Sequence, residues 1–202
     1  MTDVVVALDV GGTKLLGGLV TADGAVVRRR QVPTPRDATG CDPGLAAFAG
    51  LAADLVAVAG TEGLNVVAAG VGFAEYVHDD RLTSSEVFAW DRQPADLLAE
   101  VLPDRPVAVE ADVRCAAVAE AVVRTPASTA DGMFYLSWGT GLSCALVVDG
   151  RSWAGARGEA LAIGEWSVDP AVDPSWNGNL EAYASGRGIE MRYEKATGSA
   201  SS

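Results

Sequence analysis

Residues Val4-Val5-Val6-Ala7-Leu8-Asp9-Val10 form an apolar strand that runs straight into Gly11-Gly12-Thr13-Lys14, and this junction restricts what the chain can fold into. A strand that ends in a carboxylate and bare backbone is suited to holding an anion. The glycines let main-chain N–H groups approach closely, Lys14 adds positive charge, and Asp9 can hold a metal ion that shares the anion. Leu15 to Val20 reads as a return strand, which makes the glycines the turn of a hairpin. The order differs from that of a P-loop, because no spaced glycine precedes a Gly-Lys-Ser/Thr. An ordinary Gly-Gly hairpin fits the same residues, so the segment alone leaves both readings open.

With 49% hydrophobic and 21% charged residues among 202, the chain can bury one or two globular cores. A net charge of −12 repels phosphate backbones, so nucleic acid is not an expected partner. Arg28-Arg29-Arg30 lies along a strand pattern and reads as a solvated face. Lys14 and Lys195 are the only lysines, which makes the one in the glycine turn more informative. Cys41, Cys115 and Cys144 contain no C-x-x-C pair, as expected of a reducing cytoplasm. The apolar run before Asp9 is too short for a signal peptide. Gly44 to Gly60 is broken by Asp54 and too short to cross a bilayer. The expectation is a soluble, cytoplasmic protein with no membrane partner.

Alternation and turn residues predict strands over Val4–Leu8, Leu15–Val20 and Ala25–Val32, then a Pro/Gly/Asp-rich loop from Pro33 to Pro43. A helix is predicted over Leu45–Ala59, a buried strand over Asn65–Val71, and irregular chain from Phe73 to Trp90. Asp96–Leu102 reads as a helix, Pro106–Glu110 as a strand and Val113–Val123 as a helix. The polar linker Thr125–Asp131 marks the expected boundary between two lobes, 1–124 and 125–202. A second hairpin follows, Met133–Trp138 and Leu142–Val148 around Gly139-Thr140-Gly141. Two such hairpins could clamp one polyphosphate from both sides, and two common hairpins could equally coincide.

Taken in order, these blocks resemble the ROK family of repressors, open reading frames and sugar kinases. Asp9-Val10-Gly11-Gly12-Thr13-Lys14 is similar to its D-x-G-G-T-K phosphate hairpin. The likeness continues at Gly70–Phe73, Ser84–Trp90, Val107–Asp112, Gly139–Gly141, Val148–Arg151, Gly155-Ala156, Ile163-Gly164 and Leu180–Gly186. The resemblance implies an α/β protein with the actin-like ATPase (ribonuclease H-like) fold, two lobes around a nucleotide and sugar cleft. It also implies ATP-dependent phosphorylation of a sugar hydroxyl. Asp9 would sit near Mg²⁺ through water, Gly11, Gly12, Thr13 and Lys14 near the β- and γ-phosphates, and Gly139, Thr140 and Gly141 on the phosphates from the other lobe. Asp112 falls where the family carries its catalytic base. An aspartate at the start of a helix is also an ordinary N-cap; as a base, the helix N-terminus is expected to hold it ionised. Glu181 matches a family glutamate that contacts sugar, and a solvated helix-start glutamate fits it too.

Departures from the family gather on the sugar side. Ala111 stands where Asn usually precedes the catalytic Asp. The usual G-E-x-G-H block reads Leu161-Ala162-Ile163-Gly164-Glu165, and the usual P-G is Ala74-Glu75. Glu165 or Glu75 is a candidate to supply the lost polar contacts. The cysteine-rich zinc motif is absent, so no structural zinc is expected. Trp138 is expected in the core, and Trp166 and Trp176 are candidates to line a pocket. The chain matches the first part of the family pattern, so an incomplete second lobe, exposed apolar surface and homo-oligomers are expected. The expected function is a carbohydrate kinase, truncated or with an altered sugar pocket; the alternative is an inactive sugar-binding or regulatory protein of the same fold.

Overall fold

A computed structural model describes residues 1–35, 43–85, 91–124 and 132–198. Alternating β-branched residues build β1 (Asp3–Val10), whose Val4, Val6, Leu8 and Val10 all face one side and are buried. The glycine turn returns the chain as β2 (Lys14–Thr21), and a second turn at Asp23-Gly24 leads into β3 (Val26–Pro33). After α1 (Pro43–Thr61) come β4 (Asn65–Phe73), a small hairpin of β5 (Val77–His78) and β6 (Arg81–Leu82), and α2 (Pro94–Val101). Next are β7 (Val107–Ala111), α3 (Asp112–Arg124), β8 (Met133–Trp138), β9 (Leu142–Val148) and β10 (Arg151–Ser152). The chain closes with a 3₁₀ turn (Ile163–Glu165), α4 (Leu180–Ala184) and α5 (Gly186–Thr197).

The chain divides into two compact units. The first holds Met1–Cys115 with Ala156–Gly158, the second Ala116–Gly155 with Glu159–Ser202. The division falls inside α3, while the linker 125–131 that the sequence marks as a boundary lies outside the described residues. So do Cys41, Trp90 and most of the Pro33–Pro43 loop.

In the first unit the sheet order is β3-β2-β1-β4-β7, with β1, β4 and β7 parallel and β1-β2-β3 an antiparallel meander. Helix α1 covers one face. At 19 residues it runs straight through Asp54 and is longer than the sequence suggested. Length and composition alone would let it cross a membrane. Its Leu45, Phe48, Leu51, Ala52, Leu55 and Ala59 recur at helical spacing, however, and are buried in the core with the strands, the Phe48 ring 5.7 Å from that of Phe73. Asp54 faces outward.

In the second unit β10-β9-β8 form an antiparallel sheet. Leu142 and Cys144 pack with Ile163 on one side of β9. Trp138 corrects the core expectation: it is 65% exposed, together with Phe134 and Leu136, because these alternate residues of β8 share the exposed face of the sheet. Its indole N–H donates to the Ala184 carbonyl at 2.7 Å.

One buried cation organises the first unit beside the carboxyl end of β7. Arg114 is 4% exposed and pairs with Glu110, four residues earlier in β7, at 2.5 Å. Its guanidinium also donates to the carbonyls of Gly158 (2.9 Å) and Val77 (2.5 Å), tying the 156–158 segment to β5. Gly158 has φ +79, and a Cβ there would lie 2.1 Å from the Val77 oxygen, so the close approach requires glycine. Arg114→Met leaves two carbonyls and a carboxylate without their donor and should cost about 3 kcal/mol. Urea denaturation checks this; a loss below about 1 kcal/mol would show that the clasp contributes little.

Candidate active site

The parallel register sets Asp9 opposite Gly72 and Gly72 opposite Glu110. The carboxyl ends of β1, β4 and β7 therefore finish on one edge, the place where open α/β sheets bind ligands. Helix α3 starts directly after β7 with no intervening loop, which makes Asp112 its first residue. This start lies hard against β4. A Cβ on Gly72 would meet the Asp112 Cα at 3.3 Å and the Cys115 Sγ at 3.5 Å, so the glycine lets the helix begin there.

Asp112 Oδ1 accepts the N–H of Val113 at 2.6 Å. An N-cap side chain normally serves the second or third residue beyond it; this one reaches only its neighbour. The Val113 bond favours the ionised carboxyl, as expected of a helix N-terminus, but it is not the dominant influence. Burial pushes the Asp112 carboxyl above the ordinary carboxylate range and the nearby Asp9 charge adds to this, with the Val113 bond opposing. Burial pushes Asp9 up as well, against the pull of Lys14. The Cys115 thiol is pushed up to about 11 by burial and by Glu110 and Asp112, so it stays protonated at neutral pH.

Two carboxyls raised by partial desolvation, with the Asp9 charge raising Asp112 further, form a site a cation would relieve. Magnesium suits this donor set, since it keeps several waters and takes one or two carboxylates together with phosphate oxygens. Among the described residues no group of three or more His, Cys, Asp or Glu is arranged as a closed metal cage.

Beside Asp9 the turn closes through Gly11 N–H to the Lys14 carbonyl at 3.1 Å. Thr13 and Lys14 are exposed. A residue that sequence reasoning passed over holds this turn from behind. Thr34, 7% exposed, donates its hydroxyl to the Gly11 carbonyl at 2.6 Å and its N–H to the Thr13 carbonyl at 3.0 Å. The available signal was Pro33-Thr34-Pro35, a rigid end to β3 in register with Lys14. Ala111 ends β7, buried, with a methyl only.

The second unit gathers the remaining candidates. Gly139 and Thr140 carbonyls accept the N–H groups of Gly186 (2.8 Å) and Arg187 (3.3 Å) in the first turn of α5, whose N-cap is Ser185. Glu181 Oε2 accepts the Leu142 N–H at 2.8 Å, beside Gly141 and Gly164. Glu165 accepts from the Asn179 amide at 3.3 Å, and Asn179 caps α4. Leu161 sits at φ +60, in the left-handed region, at the position where the family pattern has glycine. Glu75, in the first unit, is 5% exposed and takes the Ser84 hydroxyl at 2.5 Å. Trp166 is exposed, and Trp176 packs edge-on against Tyr183 at 5.4 Å.

Strand order, paired carboxylates and glycine turns define a member of the actin-like ATPase fold, and a solved relative agrees. A ROK family glucokinase from Streptomyces griseus, in complex with glucose and AMPPNP, is 27% identical with a TM-score of 0.71, covering 96% of this chain and 62% of that one. The chain belongs to the ROK family, whose model matches residues 5–202. A glucokinase of Streptomyces coelicolor is 29% identical over 198 residues, 94% of this chain and 58% of the relative. An N-acetylmannosamine kinase of Shigella boydii is 30% identical over 186 residues, 91% and 62% respectively. The chain thus spans about three fifths of the length of the curated relatives it matches.

The carboxyl shifts fix a sign for stability. Both groups bind protons more tightly folded than unfolded, so the folded state loses stability as pH rises through the window between the two values. The penalty is absent below the unfolded value, near 4, and complete above the folded one. Asp112→Asn keeps the bond to Val113 and removes one charge. Its melting temperature should exceed that of the wild type at pH 7, and the gap should close as pH falls toward about 4. A variant less stable at pH 7, or a gap indifferent to pH, would contradict the pairing of these carboxylates.

Proposed function

We propose that the protein is a ROK-type carbohydrate kinase that moves the γ-phosphoryl group of ATP to a sugar hydroxyl. The observation that carries this reading is Asp112, its carboxyl raised by burial and by Asp9, on the sheet edge shared with the Gly11–Lys14 turn. The kinase relatives support it.

Asp112 takes the proton of the attacking hydroxyl as the new oxygen–phosphorus bond forms. The bond from phosphorus to the bridging oxygen breaks and ADP leaves with that electron pair. A carboxyl raised toward the working pH is a better-matched base than an ordinary one, since proton transfer gains driving force. Asp9 would hold Mg²⁺ through water, and the ion would supply positive charge to offset that of the phosphate oxygens. Lys14 and the Gly11–Lys14 turn seat the β- and γ-phosphates.

The sugar pocket is altered. Ala111 and Ala162 offer methyls where the family pattern has Asn and Glu, leaving sugar hydroxyls unpaired at about 1–3 kcal/mol each if buried. Glu181 and Glu165 are the remaining carboxylates for sugar contact. The substrate is a sugar or sugar derivative, and Ala111 and Ala162 disfavour glucose itself. A thermal-shift screen of neutral, amino- and N-acyl sugars with Mg-ATP, followed by a coupled assay for ADP, should find a sugar that outperforms glucose. In a form of the protein that turns over sugar, Asp112→Asn should keep the thermal shift and lose turnover. Ordinary turnover in that variant would make Asp112 a helix residue only, and a leading glucose response would refute the altered pocket.

A further inference from the structure

Thr34 is buried, and its hydroxyl and its backbone N–H each donate to a carbonyl of the first glycine turn, Gly11 and Thr13 respectively. A peptide unit is planar and trans, so its C=O and N–H point in opposite directions. Holding the Gly11 carbonyl sets the direction of the Gly12 N–H, and holding the Thr13 carbonyl sets that of the Lys14 N–H. A Gly-Gly turn left to itself would sample many φ/ψ states, and each one lost on binding an anion weakens the complex. Thr34 can impose a single state because it is itself immobile. Pro33 locks the backbone before it, Pro35 biases it to extended geometry, and its side chain is buried.

We propose that Thr34 is a positioning residue that pre-organises the phosphate turn for a polyphosphate. This rests on the kinase reading only in the identity of the anion; the effect on the turn itself needs no ligand. Thr34→Val keeps shape and burial but removes the donor to Gly11, while Thr34→Ser keeps the donor. Leu98→Ala, in the buried face of α2, serves as a variant destabilised elsewhere.

Two measurements on the chain separate the outcomes. Hydrogen exchange of the amides at 11–14 should speed up in Thr34→Val relative to both Thr34→Ser and Leu98→Ala. Calorimetry with inorganic tripolyphosphate and Mg²⁺ should show affinity about tenfold weaker in Thr34→Val, with Thr34→Ser within about twofold of wild type. Leu98→Ala should lower the melting temperature without changing affinity. Unchanged exchange at 11–14 in Thr34→Val overturns the inference whatever the ligand result. Wild-type binding with equal affinity in Thr34→Val also overturns it and leaves the kinase reading standing. Faster exchange with no wild-type uptake of tripolyphosphate sinks the phosphate assignment of the turn, and with it the role proposed for Thr34.

Discussion

The parallel pairing of β1, β4 and β7 puts Asp9, Gly72 and Glu110 in one row, with strands about 4.8 Å apart. From that row α3 rises with no loop, and Gly72 leaves room for its first residue. Two carboxylates are thereby held near one another in partly desolvated surroundings. Burial raises the proton affinity of both and the Asp9 charge raises that of Asp112 further, and this costs folding stability at neutral pH. The same arrangement is what a phosphoryl-transfer site needs: a base with raised affinity and an anionic mouth that welcomes a cation. Core packing of α1 on the sheet, with Phe48 against Phe73, supplies the rigidity that keeps the row in place.

The two glycine turns are held by one physical device in two chemical forms. In each, consecutive or near-consecutive carbonyls are engaged from behind, which orients the attached N–H groups. Thr34 does this for Gly11 and Thr13 with a side chain and its own amide. The first turn of α5 does it for Gly139 and Thr140 with backbone amides, and Glu181 adds a bond at Leu142. Glu181 therefore serves the turn's own foundation through one of its oxygens, whatever it contacts through the other.

Much of this was readable from residues because it is local. The β-branched alternation of Val4–Val10, the Gly-Gly and Asp-Gly turns and the helical spacing after Asp112 each decide their own segment, and all appear within a few residues of the expected bounds. Asp9 and Asp112 were legible as strand-end carboxylates. The proton affinity of Asp112 was not, because it depends on burial and on a charge about a hundred residues earlier in sequence. Trp138 was misread for a related reason: apolar content predicts burial only where something covers the face. Arg114 and Thr34 escaped notice because a buried Arg and a loop Thr acquire meaning only from the carbonyls that tertiary structure brings to them.

Direct titration of the Asp112 carboxyl tests the centre of this account. Carbon-13 NMR of the side-chain carboxyl would follow it across pH in the wild type and in Asp9→Asn. An elevated value in the wild type, falling when the Asp9 charge is removed, is the expected result. An ordinary carboxylate value in both proteins would contradict it, since Asp112 would then be neither desolvated nor coupled to Asp9.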